Sequence, residues 1–371
     1  MKKILVIAKS FIPPTGGAEI SLLYFLKRLK EENYEIIGIC YGDEKKSFVY
    51  EGIKVIHLSY KTASRYSVFT SFNILRWFLT ALIFTYKIKP DLIITQAAYT
   101  PMAVTIAKLL KIPVIVFLRV YDHFCLIDFI KGANCDRNCF KCLEGKQKFF
   151  FWLYFAKLLW HRLGLKMADK VIANSNFMKE LCYKWYKIKC DVIYPPIEFE
   201  KYIVKRKEPQ YITFASTRKE KIKGYHIFIE IAKSLPQFQF LLVGAPADNL
   251  PQNVKYIGFL KDMREAFKHT KILLFPSLWP ESPGRIAVEA MLNGIPVIYT
   301  DTPAVRETVN GAGIPIKEPH NLNEWIDKIK MLMEDISLYN KLSKKAVERA
   351  KNFDANDSYR QFRKILCNLK I

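Results

Sequence analysis

A chain of 371 residues is too long for one ordinary core and fits two domains of comparable size. Half of its residues are hydrophobic and a quarter are charged, with no low-complexity run or fixed-period repeat, which favours a globular chain over a disordered or solenoid one. The net charge of +23 implies an anionic partner: nucleic acid, a phosphate-bearing small molecule or an acidic membrane surface.

The opening "MKKILVIAKS" imitates a signal peptide, but its apolar run stops at Ala8 and no small-residue cleavage site follows, so it reads as a first strand. Helical and β-rich patterns then alternate: "AEISLLYFLKRLKEE", "YEIIGICYG", "IKVIHLS", a long apolar stretch centred on Arg76, and "PDLIITQ". Arg76 is expensive at the middle of a bilayer, so this stretch reads as a half-buried helix and not as a membrane span. The alternation continues through "TPMAVTIAKLLK", "IPVIVFLR" and "KVIANSNFMKELCYKW", where Asn174 or Ser175 can cap the helix. Continuous apolar strands alternating with helices predict a parallel sheet covered on both faces.

Between Lys131 and Lys189 there are thirteen Lys or Arg against four Asp or Glu, around "KFFFWLYFAKLLWHRLGLK". Aromatics beside cations at helical spacing suit an interfacial helix, and equally a core helix with a solvated basic flank; both readings stand. The Pro-Pro segment "CDVIYPPIEFEKYIVKRKEPQ" is the best linker, since proline cannot join a central strand and no amphipathic period follows. It places a first domain at 1–204 and a second at 205–354. The second repeats the pattern with "YITFAST", "GYHIFIEIAKSLP", "FQFLLVGAP", "VKYIGFL", "KILLFPS" and "IPVIYT", giving an α/β chain of two doubly wound, Rossmann-like domains.

Three loops could carry chemistry. Gly16 and Gly17 precede a helix and let backbone amides approach an anion without a Cβ in the way. Arg218 and Lys223 flank a helix opening at Gly224 and could hold a diphosphate, or form an exposed basic loop. "WPESPGRIAVEAMLN" sets Glu281 beside a turn and Glu289 on the first turn of a helix, with its carboxylate expected to be free, while Ile286, Ala287, Ala290 and Met291 share an apolar face. Two carboxylates straddling a bond also mark a retaining glycosidase, although these two lie on one element and do not face each other across a groove. Cys125, Cys135, Cys139 and Cys142 have spacing that would suit a structural zinc or iron-sulfur cluster, with disulfides or thiols as the alternatives. Cys40, Cys182, Cys190 and Cys367 read as solitary.

"PSLWPESPGRIAVEAMLNGIPVI" resembles the signature of the family 4 glycosyltransferases, retaining enzymes with two Rossmann-like domains facing across a cleft (GT-B type). The likeness runs through the Gly16-Gly17 loop, Arg218 and Lys223, "LLVGAP" and "YIGFL" in the usual order. It implies that Glu281 contacts hydroxyls of the donor sugar and that Glu289 holds the ribose. Arg218 and Lys223 would grip the diphosphate. The turn Ser282, Pro283, Gly284, Arg285 and Ile286 and the Gly16-Gly17 loop would face phosphate and sugar, and Gly258 and Phe259 would lie by the base. Where many members carry a histidine, "VFLRVYDHFC" offers Arg119 for the polar role, with Asp122 and His123 nearby.

The resemblance further implies that the helix at 355–371 returns to the first domain, with Tyr359, Phe362 and Ile365 docking there, and that catalysis needs no metal because cations neutralise the leaving group. The implied activity moves a sugar from a nucleotide-diphosphate donor to a glycan or lipid-linked acceptor; the basic aromatic flank adds the expectation of a cytoplasmic protein peripheral to the anionic inner face of the membrane. A nucleic-acid-binding protein is disfavoured because no reading motif is present. An inactive scaffold of the same fold is disfavoured by the intact Glu281, Glu289, Arg218 and Lys223.

Overall fold

The structure is a computed structural model that describes residues 1–8, 11–14, 16–42, 46–59, 68–125, 135, 138–216, 221–244, 249–260, 262–279, 281 and 283–371. These residues form two compact units, Met1–Ile193 with Tyr359–Ile371, and Tyr194–Ser358.

The strands of the first unit are β1 (Lys3–Ala8), β2 (Glu35–Gly42), β3 (Lys46–Tyr50), β4 (Ile53–Ser59), β5 (Leu92–Gln96), β6 (Val114–Leu118), β7 (Lys170–Ala173) and β8 (Asp191–Val192). Its helices are α1 (Gly17–Glu31), α2 (Val68–Ile88), α3 (Thr100–Leu109), α4 (Lys146–Phe149), α5 (Phe151–Met167) and α6 (Asn176–Tyr186). The sheet order is β3-β4-β2-β1-β5-β6-β7-β8, parallel except for the antiparallel β3–β4 pair. In β1, Ile4, Leu5, Val6 and Ile7 are wholly buried, as a strand covered on both faces requires. Ser175 caps α6 by accepting a bond from the Met178 amide at 3.1 Å.

The second unit runs α7 (Phe199–Tyr202), β9 (Tyr211–Ser216), α8 (Tyr225–Ser234), β10 (Phe240–Gly244), β11 (Val254–Tyr256), α9 (Arg264–Phe267), β12 (Thr270–Phe275), α10 (Arg285–Leu292), β13 (Val297–Thr300), α11 (Pro303–Val309), β14 (Gly313–Ile316), α12 (Leu322–Glu334) and α13 (Ile336–Ala350). Its sheet order is β11-β10-β9-β12-β13-β14, parallel throughout.

Both sheets are doubly wound. The chain moves outward from β1 to β2 and on to the edge strand β3, folds back as β4 between β3 and β2, then crosses to the other side of β1 with β5; in the second sheet it moves from β9 to β11, then returns beside β9 with β12. Each return creates a switch point where the loops after two central strands diverge and leave a crevice at the strand carboxyl ends.

The division between the units falls at Ile193–Tyr194, earlier than the expected boundary at 205. The segment between lacks a period, yet its Tyr194, Ile197, Phe199, Tyr202 and Val204 all pack on the second unit's core. The last helix, α14 (Ala355–Asn368), joins the first unit from Tyr359 onward. Its Phe362 is wholly buried, with ring centroids 5.0 Å from Phe25 and 5.6 Å from Phe117, and Tyr359 donates to Glu32 at 2.8 Å.

In α2, Trp77, Ala81 and Thr85 are buried at a four-residue repeat while Leu75, Leu79, Ile83 and Tyr86 are exposed, so the helix is half-buried as expected. Among the described residues no helix is long and apolar enough to cross a membrane.

Candidate functional site

The loops expected to carry chemistry sit at the two switch points. In the second unit, the turn after β9 holds Lys223 and the turn after β12 holds Glu281, and these side chains form an ion pair. Ser277 donates to the same Glu281 oxygen, Oε1, at 3.2 Å. The Lys223 turn is tied to the β12 loop by backbone bonds: the Leu278 and Trp279 amides donate to Ile222 O at 2.8 and 3.2 Å.

Gly224 makes this approach possible. Its φ is +77°, which favours glycine, and a Cβ there would lie 2.0 Å from Pro276 O. Gly284, at φ +71°, precedes α10 in the same way, with Phe275 Cζ 3.1 Å from where a Cβ would stand. Thr308 Oγ1 donates to Pro283 O at 2.6 Å, fixing this second turn from α11.

Glu289 differs from the expectation. Its carboxylate is not free: α10 is buried on nearly every side through Ala287, Val288, Ala290, Met291 and Leu292, and Glu289 is buried with them. Arg285 Nε donates to its Oε1 at 2.8 Å. Burial holds the Glu289 carboxyl above the usual carboxylate range, and the charge and hydrogen bond of Arg285 pull it partly back. The remaining nitrogens of Arg285 donate to Pro196 O at 3.0 Å and to the Tyr202 hydroxyl at 2.9 Å. Arg285, read only as part of a ligand-facing turn, therefore spends its side chain on Glu289 and on the segment before β9.

Gly258 has φ +69°, and the Gly244 amide donates to its carbonyl at 2.7 Å, which sets the β10 and β11 ends side by side; the adjoining Phe259 is exposed. Ile286 packs partly buried on the second-unit core. Arg218 and Ser282 lie outside the described residues.

In the first unit, Gly16 stands before α1 with extended backbone and Gly17 is its first residue. Arg119, just past β6, donates to Ala18 O at 2.5 Å, lies 3.5 Å from Gln96 Oε1, and rests over the Phe117 ring at 4.3 Å. The structure thus brings Arg119 to the Gly16-Gly17 turn at the β1–β5 switch point. His123 belongs elsewhere: it is wholly buried, its Nδ1 2.9 Å from His161 Nδ1, and Tyr186 donates to its carbonyl. Burial pushes both imidazoles down, His123 well below the usual range and His161 to about 3, with Lys157 adding to each.

Cys125, Cys135, Cys139 and Cys142 are partly exposed, and among the described residues no group of three or more His, Cys, Asp or Glu side chains is arranged to hold a metal ion. Cys182 and Cys190 are not solitary; a hydrogen bond between them, then burial, raises the Cys182 thiol. Burial pushes the Cys40 thiol up to about 12. Sequence reasoning passed over Ser277, Tyr202 and Gln96; position at the end of a central strand, for Gln96, or just past one, for Ser277, was the available signal, and Tyr202 had none.

Similarity to known proteins agrees with this layout. Residues 15–201 match the model of Glycosyltransferase Family 4, just over half of the chain, and residues 197–349 match that of Glycosyl transferases group 1. An uncharacterized 41.2 kDa protein in the cps region of Klebsiella pneumoniae is 26% identical over 52% of this chain. A GDP-Man:Man(3)GlcNAc(2)-PP-Dol alpha-1,2-mannosyltransferase of Candida glabrata is 28% identical over 42% of it. The chain spans 62% and 32% of the lengths of these two relatives. Among solved structures, a sucrose-phosphate synthase from Thermosynechococcus elongatus aligns over 100% of this chain and 99% of its own, with TM-score 0.78 and 17% identity. Anabaena HepE in complex with UDP-glucose aligns over 99% of this chain and 100% of its own, with TM-score 0.73 and 18% identity. The α/β fold with two doubly wound parallel sheets is thus that of GT-B enzymes, and the chain belongs to Glycosyltransferase Family 4.

Proposed function

We propose that this chain is a retaining glycosyltransferase that moves a sugar from a nucleotide-diphosphate donor to a glycan or lipid-linked acceptor, in cell-surface polysaccharide, glycolipid or glycoprotein glycan synthesis. The observation that carries the reading is the meeting of Lys223, Ser277 and Glu281 at the β9–β12 switch point, with Glu289 on the helix that follows this turn. A cation there can take the diphosphate while the carboxylates take hydroxyls of sugar and ribose. The acceptor oxygen attacks the anomeric carbon on the face the diphosphate leaves, the carbon–oxygen bond to the diphosphate breaks, and the acceptor proton passes to a leaving phosphate oxygen. Lys223, with Arg218, neutralises the departing charge in the place a metal would otherwise fill.

The base is open between relatives: HepE was solved with UDP and UDP-glucose, and the Candida relative is named for GDP-Man. Calorimetric titration with UDP, GDP and ADP tests the donor site. Binding of one nucleotide, lost in Lys223→Ala and Arg218→Ala, supports the reading, and binding of none refutes it. Glu281→Ala is expected to abolish transfer while leaving the fold intact; unaltered turnover would remove Glu281 from its role.

The acceptor side is read onto an anionic membrane face. Phe149 on α4 and Trp152, Leu153, Trp160, Leu163 and Met167 at helical spacing on α5 are exposed, with Phe149 at 83% and Trp152 at 74%. From Gly145 to Ala168 there are five Lys or Arg and no Asp or Glu. Tryptophans between cations suit the boundary between headgroups and acyl chains.

A further inference from the structure

We infer that Arg285 is a positioning residue for Glu289: gripped by Tyr202 and Pro196, its guanidinium sets where the carboxylate stands and keeps it ionised for the ribose. The inference rests on the proposed role of Glu289 as the ribose carboxylate.

One face of α10, continued by its C-cap Asn293, lies against the segment that enters the second unit. Arg285, Glu289 and Asn293 follow at four-residue intervals. Arg285 reaches Pro196 O and the Tyr202 hydroxyl, and its guanidinium carbon lies 5.3 Å from the centre of the Tyr202 ring. Asn293 donates to Tyr202 O at 2.9 Å and accepts from the Val204 amide at 2.8 Å. The planar fork of Arg285 is thus held at two nitrogens and at its face, and only its Nε is directed at Glu289. A guanidinium fixed in this way cannot follow the carboxylate; the carboxylate is fixed by it.

Such a buried carboxylate is neutral unless a cation stands beside it. Among the described residues, the groups that bear on this carboxylate are Arg285 on its own helix and Asp262 from the turn before α9, with Tyr202 from α7 bearing on Arg285. Asp262 opposes the charge and is itself engaged by Arg264, with Nε bonds at 2.7 and 3.0 Å. Arg285 is therefore the one of these three that favours the anion. A neutral Glu289 would turn one oxygen into a donor and leave the other a weaker acceptor where two ribose hydroxyls need acceptors, so nucleotide affinity should follow its ionisation.

The test uses the full chain with carboxyl-13C glutamate, the Glu289 signal being identified by its loss in Glu289→Gln. In Arg285→Met that signal is expected to titrate at a pH higher by about one unit or more, with a smaller rise in Arg285→Lys. Affinity for the nucleotide selected from UDP, GDP and ADP should fall about tenfold or more in Arg285→Met at neutral pH and recover in part as pH rises. Tyr202→Phe, which keeps the ring and loses one bond, should lie between wild type and Arg285→Met. An unmoved titration, or an affinity loss identical at every pH, would overturn the inference and leave Arg285 a packing residue. If Glu289→Gln binds nucleotide like wild type, the ribose role falls, while the titration still decides whether Arg285 governs the carboxylate.

Discussion

Gly224 and Gly311 make a matched pair. Their φ angles are +77° and +76°, but a Cβ on Gly224 would stand 2.0 Å from Pro276 O and 2.6 Å from Pro276 C, while Gly311 has no atom within 4 Å. Alanine at either position carries left-handed strain of about 1–2 kcal/mol, offset by about 0.4–1 kcal/mol from the stiffer unfolded chain. Gly311→Ala should therefore destabilise the second unit by about 1 kcal/mol. Gly224→Ala adds an overpacking cost of about 1–3 kcal/mol, because the neighbour is backbone that ends a central strand, and should lose about 2–4 kcal/mol in all. Hydrogen exchange of β12 and α8 peptides in the full chain reads this locally, which matters because two units need not unfold as one. The displaced Pro276 loop carries Ser277 and Glu281, so Gly224→Ala should also weaken nucleotide binding while Gly311→Ala leaves it unchanged. Equal stability losses in the two variants would refute the contact as the cause.

The remaining predictions concern the first unit and the donor pair. Because burial lowers the folded-state values of His123 and His161, the unfolded chain binds protons first as pH falls; their contribution is complete above about pH 6.5 and declines below it. One pH unit lower, each should have removed about 1.4 kcal/mol from first-unit stability, and His161→Gln should halve the loss in urea melts at the two pH values. Vesicles containing anionic lipid should sediment the wild-type chain, and Trp152→Ser with Leu153→Ser should weaken this without changing nucleotide affinity; equal sedimentation would remove α5 from membrane contact. Lys223→Ala should lower nucleotide affinity by about tenfold or more, measured by calorimetry, and no change would separate Lys223 from the diphosphate.

What the sequence disclosed tracks the range of the interaction involved. The central strands were legible because they carry apolar runs such as residues 4–8, Val114–Leu118 and residues 272–275, and the Glu281 turn was legible because Pro283 and Gly284 mark it locally. The burial of Glu289 was not: a polar residue on an amphipathic helix is expected outward, and only the packing of α10 on all sides reverses this, with Arg285 one turn earlier as the available sign. The segment at 194–204 hid its allegiance because its apolar residues have no regular spacing, yet Tyr194, Ile197, Phe199, Tyr202 and Val204 find places on the second-unit core. Cys182 and Cys190 meet because the chain leaves α6 through Lys187 at φ +57° and doubles back, a turn that no cysteine spacing encodes.

The two glutamates are each held by a cation, and the holding differs in kind. The Lys223–Glu281 pair keeps 29% and 21% of its side-chain surface in contact with solvent, whereas the Arg285–Glu289 pair keeps 13% and 8%. Separating a partly exposed lysine from a carboxylate costs about 0–1 kcal/mol, since water replaces the lost partner. Removing one member of a buried pair costs about 3–5 kcal/mol, because the other charge is left stranded. For the proposed donor this asymmetry divides the work: an arriving diphosphate can draw Lys223 away and free Glu281 for the sugar hydroxyls at little cost. Glu289 cannot be released in that way, so on the proposed reading its part is that of a fixed acceptor against which the ribose is registered.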